Sequence, residues 1–149
     1  MHLEQREASK NLPRFSTPLV GRTHELAALG TRLEGARIVT VVGTGGIGKT
    51  RLAVEAAAAR GTADADVWFV DLAPVSDRAL VADAIAAAMG LELAAGADLR
   101  ASLVSALRPE RGLLLLDNCE HVRSGVAAIA SAIVRDCPNI RILATSREP

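Results

Sequence analysis

Short apolar runs alternate along the chain with longer stretches whose apolar positions recur at helical spacing. Residues 37–42, from Arg37 to Val42, form a β-branched run of the kind found in buried parallel strands. Three similar runs follow: Val67 to Val70, closed by Asp71; Leu113 to Leu116, ending at Asp117; and Ile140 to Ala144. Between them the period lengthens to that of an α-helix. Leu26, Leu29 and Leu33 share one face of a helix expected to be capped by Thr23 and stopped at Gly35. Leu52, Ala53, Ala56 and Ala57 mark the inner face of a helix ending before Gly61. A helix over 77–89 is expected to take Ser76 as its cap, Gly90 as its end, and Leu80, Val81, Ala84, Ile85, Ala88 and Met89 as its inner stripe. Asp98 is placed to cap another, with Leu99, Leu103, Ala106 and Leu107 inward and Pro109 just beyond it. The last helix runs from about His121 to Asp136, carries Val122, Val126, Ile129, Ile133 and Val134 inward, and is followed by Pro138.

Strands alternating with helices predict an α/β fold: a mostly parallel sheet with helices on both faces, in three layers. Right-handed crossovers put the carboxyl end of every strand on one edge, where open α/β sheets bind ligands. The segment after the first strand, Asp71, Asp117 and Thr145 to Arg147 all fall on that edge. Residues 1–17 show no sustained periodicity and are expected to form a mobile arm. Residues 18–149 then form one domain, which at this length buries roughly 68–70% of its unfolded surface.

The segment on that edge carries chemistry. Gly43, Thr44, Gly45, Gly46, Ile47, Gly48, Lys49 and Thr50 match the phosphate-loop pattern G-x-x-x-x-G-K-[ST] in full, between a strand and a helix. Its glycines lack Cβ atoms, so backbone N–H groups can converge on phosphate oxygens. The following helix adds its positive N-terminal end. Lys49 is a compact cation for the β- and γ-phosphates, and Thr50 offers a hydroxyl ligand for Mg²⁺. Arg51 follows directly and joins the candidate nucleotide-binding set. The expected ligands of such a loop are a nucleoside triphosphate and Mg²⁺; the residues alone do not choose ATP over GTP, and adenine enters only with the family resemblance. Asp117, at the end of a four-leucine strand, is the candidate acid on the Mg²⁺ side.

Asn118 stands next, where many P-loop ATPases carry a second acid. Its amide cannot accept a proton, which predicts slow hydrolysis or none. Glu120 and His121 are nearby alternatives for a base, or the solvated start of the next helix. Arg147 could reach the γ-phosphate and distinguish ATP from ADP, or lie on the surface. Asp71 lines the cleft or caps the following turn. His24 is read as a surface residue.

Composition narrows the function classes. Only Phe15, Trp68 and Phe69 are aromatic, so the core must come from Ala, Val, Leu and Ile. Seventeen basic and seventeen acidic residues cancel, leaving no global field for DNA or an anionic membrane. No apolar run approaches the roughly 20 residues of a membrane-spanning helix, and the charged N-terminus has no signal-peptide core. These features favour the cytoplasm. Cys119 and Cys137 lack the spacing of a zinc motif and are expected to be buried small hydrophobes.

Taken together, Leu19 to Arg22, the glycine loop, Val67 to Pro74, Leu113 to His121 and Leu143 to Pro149 resemble the nucleotide-binding domain of STAND-type, NB-ARC-like signalling ATPases. The resemblance is to large bacterial LuxR-type and AfsR-type transcriptional regulators, and covers residues 12–149. It implies that Val20 and Arg22 lie near the adenine and ribose, that Asp117 is the Walker B acid, and that Arg147 senses the γ-phosphate. It also implies a switch in which ADP holds a closed form and ATP an open, assembling one, with self-association or a regulatory protein as partner. Thr23 departs from the acid usual after Gly-Arg. The lid, winged-helix and DNA-binding parts of such regulators are expected to be absent, so DNA binding is not expected of this chain. Two alternatives stand beside the switch: a catalytically active ATPase completed by Glu120 or a partner, and a truncated interaction remnant that holds nucleotide poorly.

Overall fold

The computed structural model describes residues 12, 13, 15, 21–43, 47–60, 66–92 and 98–147. Four strands, β1 (Ile38–Val42), β2 (Asp66–Asp71), β3 (Gly112–Asp117) and β4 (Ile140–Ser146), form one wholly parallel sheet in the order β1-β4-β3-β2. The helices are α1 (Thr23–Gly35), α2 (Ile47–Arg60), α3 (Val81–Met89), α4 (Leu99–Leu107) and α5 (Arg123–Asp136). Short 3₁₀ turns at Arg78–Leu80 and Cys119–His121 precede α3 and α5.

The period-2 alternation of the strands sorts two cores onto the two faces. Leu113, Leu115, Leu143, Val39 and Val67 pack with Leu29 and Leu33 of α1 and Leu52, Ala53, Ala56 and Ala57 of α2. Leu114, Leu116, Val70, Ile140 and Ile142 pack under α3, α4 and α5, against Ile85, Leu103, Leu107, Ile129 and Ile133. The result is the α/β P-loop NTPase-like fold with helices on both faces. β3 lies between two strands and is buried along its whole length, which is why it reads as an unbroken leucine run. Gly112 opens it because a Cβ there would run into the carbonyl oxygen of Asp66 on β2.

Two arginines tie helix ends to the other edge of the sheet. Arg37 donates to the Val134, Cys137 and Ile140 carbonyls near the end of α5, and Arg141 donates to the Leu33 and Ala36 carbonyls that close α1. Each guanidinium meets the negative, carbonyl-bearing end of a helix.

Several boundaries differ from the sequence expectation. The side-chain cap before α3 is Asp77, whose Oδ1 accepts from the Ala79 N–H at 2.9 Å, and not Ser76. The first turn is 3₁₀, which rotates Leu80 out of the inner stripe and leaves it 49% exposed. Thr23 is the first residue of α1 rather than its cap; Arg22 holds that position with no side-chain cap bond. The last helix begins at Arg123, after the 3₁₀ turn. Asp98 does cap α4, accepting from Arg100 and Ala101. Cys119 and Cys137 are buried free thiols, and burial pushes Cys119 up to about 12. Of the N-terminal arm, Leu12 and Phe15 pack against the α1–α2 core; most of residues 1–17 lie outside the described residues.

Candidate functional site

Parallel strands bring Gly43, Asp71, Asp117 and Ser146 to one edge. The ends are stitched together: the Gly43 N–H donates to the Ser146 carbonyl at 3.2 Å, and the Leu72 N–H to the Asp117 carbonyl at 2.9 Å. β4 therefore stands between the strand that feeds the glycine loop and the strand that ends in the acid.

The candidate loop residues Thr44, Gly45 and Gly46 lie outside the described residues, as does Val20. The parts on either side frame the loop. Ile47 opens α2, and no acidic side chain in its first turn offsets the positive helix end. Lys49 Nζ donates to the Gly43 carbonyl at 2.5 Å, joining the first turn of α2 to the residue that follows β1. The Arg22 guanidinium lies so close to Gly48 that a Cβ there would stand 2.9 Å from its Nη2. Lys49 thus sits against Gly43, and Arg22 against Gly48 in the first turn of α2, where the positive helix end favours an anion. Arg51 turns elsewhere, its guanidinium 4.9 Å from the centroid of the Phe15 ring.

Thr50, one turn into α2, points across to β3. Its hydroxyl lies 3.0 and 3.1 Å from the two carboxylate oxygens of Asp117. Asp117 is only 3% exposed. The Thr145 hydroxyl donates to its Oδ1 at 2.5 Å, and the Asn118 side-chain amide to its Oδ2 at 3.0 Å. Burial raises the Asp117 pKa above the usual carboxylate value; the Thr145 and Thr50 bonds oppose this, and the Asp71 and Glu120 carboxylates add to it.

Asn118 is the one non-glycine among the described residues with positive φ, at φ 61° and ψ 54°. That left-handed turn aims its backbone N–H at the Thr145 hydroxyl, 3.0 Å away, and its side-chain amide at both Asp117 and Asp71. Asn tolerates this conformation better than most residues. Asp71 Oδ1 accepts from Asn118 at 3.0 Å and from the Ala73 N–H at 2.9 Å, so it both lines the cleft and caps its turn. Glu120 and Arg147 meet each other: Nε to Oε1 is 3.5 Å, with the Arg147 side chain 64% exposed and that of Glu120 11%. Among the described residues, the second Glu120 oxygen is buried without a hydrogen-bond partner. His24 and His121 are exposed.

Sequence reasoning passed over Thr145 and the amide role of Asn118. The available signal was a strand, β4, whose apolar run turns polar at Thr145 and Ser146 on the edge where its neighbour ends in an acid. Both residues are buried, at 1% and 4% exposure.

Comparison with known proteins agrees with this geometry. Residues 31–147 match the AAA domain family. The chain belongs to that family. A Mycobacterium tuberculosis protein provisionally named an HTH-type transcriptional regulator is 45% identical over 113 residues, which is 76% of this chain and 13% of the relative. An uncharacterised protein of the same organism is 38% identical over 136 residues, 91% of this chain and 35% of the relative. Among solved structures, the Aeropyrum pernix ORC2 protein superposes with a TM-score of 0.70 at 16% identity, covering 95% of this AAA domain and 45% of that chain. Cdc6p from Pyrobaculum aerophilum gives 0.64 at 15% identity, covering 95% and 42%. The chain thus spans a minor part of each of these proteins, and the two structural neighbours bear on fold alone.

Proposed function

We propose that this AAA domain binds Mg-ATP and Mg-ADP as a STAND-type switch within the cytoplasm, with slow turnover on its own. The observation that carries the reading is the meeting of the Thr50 hydroxyl, in the first turn of α2, and the Asp117 carboxylate at 3.0 Å. Thr50 and Asp117 would hold Mg²⁺, a hard cation that takes oxygen ligands. The residues fit the ion: a carboxylate whose charge is disfavoured by burial is relieved by a cation. Bound there, Mg²⁺ would neutralise phosphate charge. Lys49 would exchange the Gly43 carbonyl for phosphate oxygen, and the loop and α2 N–H groups would supply the rest of the grip.

Arg22 is the proposed contact to the nucleotide from the side of α1, a reading supported by its guanidinium lying beside Gly48. Arg147 is the proposed γ-phosphate sensor, released from Glu120 when nucleotide competes for it. The ORC2 relative in fold was solved in ADPNP and ADP complexes, which is consistent with a nucleotide in this cleft. The regulator relatives support a role in signalling to transcription, with self-association or a protein partner reading the state.

Thermal melting tests the reading. Mg-ATP at 100 times its Kd stabilises by roughly 2.7 kcal/mol. At about 2–4 °C per kcal/mol for a domain near this size, the midpoint should rise by several degrees. Lys49→Ala should abolish the rise. No shift at millimolar Mg-ATP would favour a remnant that does not hold nucleotide. Rapid phosphate release, at or above about 1 s⁻¹, would favour a full ATPase over a switch.

A further inference from the structure

We propose that Asp71, at the end of β2, is the acid that directs the attacking water in this nucleotide site, the work that position 118 cannot do. The inference rests on the nucleotide-binding reading above. Asn118, a neutral amide, follows Asp117, and its side chain does not point away from the site. It is held in a left-handed turn and donates to Asp117 Oδ2 and Asp71 Oδ1, each at 3.0 Å. The two carboxylate oxygens therefore lie no more than about 6 Å apart, spanned by one nitrogen. Asp71 and Asp117 are also register partners on adjacent parallel strands.

The two acids differ in what remains open to a ligand. Asp117 is buried and engaged by Thr50, Thr145 and Asn118. Asp71 is exposed, and its Oδ1 takes both the Asn118 amide and the Ala73 N–H. Among the described residues its Oδ2 has no partner. One oxygen fixes the carboxylate and the other is free to accept, which is the arrangement a general base requires. Asn118 is then a positioning residue, a neutral bridge that keeps two carboxylates close without adding a third charge.

The step balances with water as the only co-reactant. The water oxygen bonds to the γ-phosphorus as the bond from phosphorus to the β–γ bridging oxygen breaks. Asp71 takes the water proton and passes it to solvent, leaving ADP and inorganic phosphate.

The test measures Mg-ATP affinity and phosphate release together on the whole 149-residue chain. Asp71→Asn should keep affinity within about three-fold and lower turnover at least ten-fold, because a positioned base contributes typically 10²–10⁴-fold. Asp71→Glu should restore part of the turnover, which a purely structural carboxylate would not do. Asn118→Ser should reduce turnover more than affinity. Asp71→Asn with wild-type turnover would overturn the proposal, and so would wild-type protein that binds Mg-ATP and releases no phosphate on prolonged incubation. Failure of the wild type to bind Mg-ATP is a different result: it removes the nucleotide reading itself, and this inference with it.

Discussion

Thr145→Val removes one hydroxyl from the floor of the site and leaves the shape nearly unchanged. That hydroxyl donates to Asp117 Oδ1 at 2.5 Å and accepts from the Asn118 N–H at 3.0 Å, at a residue 1% exposed. Losing a bond to a charged group costs roughly 1.5–3 kcal/mol, and leaving the Asn118 N–H unpaired adds about 1 kcal/mol. The sum, about 2.5–4 kcal/mol, corresponds to a midpoint lowered by about 5–16 °C. The loss should depend on pH. Asp117 has a raised pKa in the folded protein, so folding favours its protonated form, and the burden of its charge lifts as pH falls through the raised value toward 3.8. Because the Thr145 bond lowers that pKa, its removal raises it further. The extra cost is therefore full at neutral pH and shrinks in the acid range where Asp117 protonates. Urea denaturation of both proteins at pH 7.5 and about pH 4.5 reads this directly. A variant within about 0.5 kcal/mol of wild type at pH 7.5, the range of inconsequential substitutions, would refute the reasoning. A loss that grows toward acid would refute its electrostatic part.

Replacing Asn118 separates backbone strain from side-chain bonding: Asn118→Ala and Asn118→Gly lose the same amide bonds, but only Ala keeps a Cβ at φ 61°. The Gly variant should be about 1 kcal/mol the more stable in urea, and equal stability would contradict the left-handed turn. Gly48→Ala should leave the melting midpoint nearly unchanged, because among the described residues its Cβ meets only the far end of Arg22, 2.9 Å away. The same variant should bind Mg-ATP more weakly than wild type in a titration. Cys119 and Cys137 should resist an aromatic disulfide reagent at pH 8 in the native protein and both react in urea, since burial raises both thiols. Fast native reaction of either would contradict their burial.

The elements were legible because their burial differs. β3 is covered on both sides and is written as consecutive leucines, while α2 and α5 show helical stripes. The strand order was not legible. Pairing β1 with β4 joins Ile38 to Ile142 across most of the chain, and nothing local in either strand names its neighbour. Helix starts were legible only where the cap is adjacent to an α-turn, as at Asp98; before α3 a 3₁₀ turn moved the cap to Asp77. Lys49, Thr50 and Asp117 could be singled out because phosphate and Mg²⁺ chemistry demands those types after a strand. Asp71 could be placed on the same edge, but the roles of Thr145 and of the Asn118 amide could not, since they arise from three strand ends meeting in space and from one left-handed residue. The Glu120–Arg147 pair likewise joins two residues considered separately along the chain.

The proposed function puts a Mg-nucleotide in the cleft formed by Gly48, Lys49, Thr50 and Asp117, and titration calorimetry with ATP, in Mg²⁺ and in EDTA, on the wild type and Lys49→Ala measures that binding. Saturable one-to-one binding is expected in Mg²⁺, weaker binding in EDTA, and at least about ten-fold weaker binding for Lys49→Ala, the loss of roughly one charge-assisted contact. Absence of saturable binding by the wild type at millimolar Mg-ATP, or equal affinity in Lys49→Ala, would contradict the proposed function.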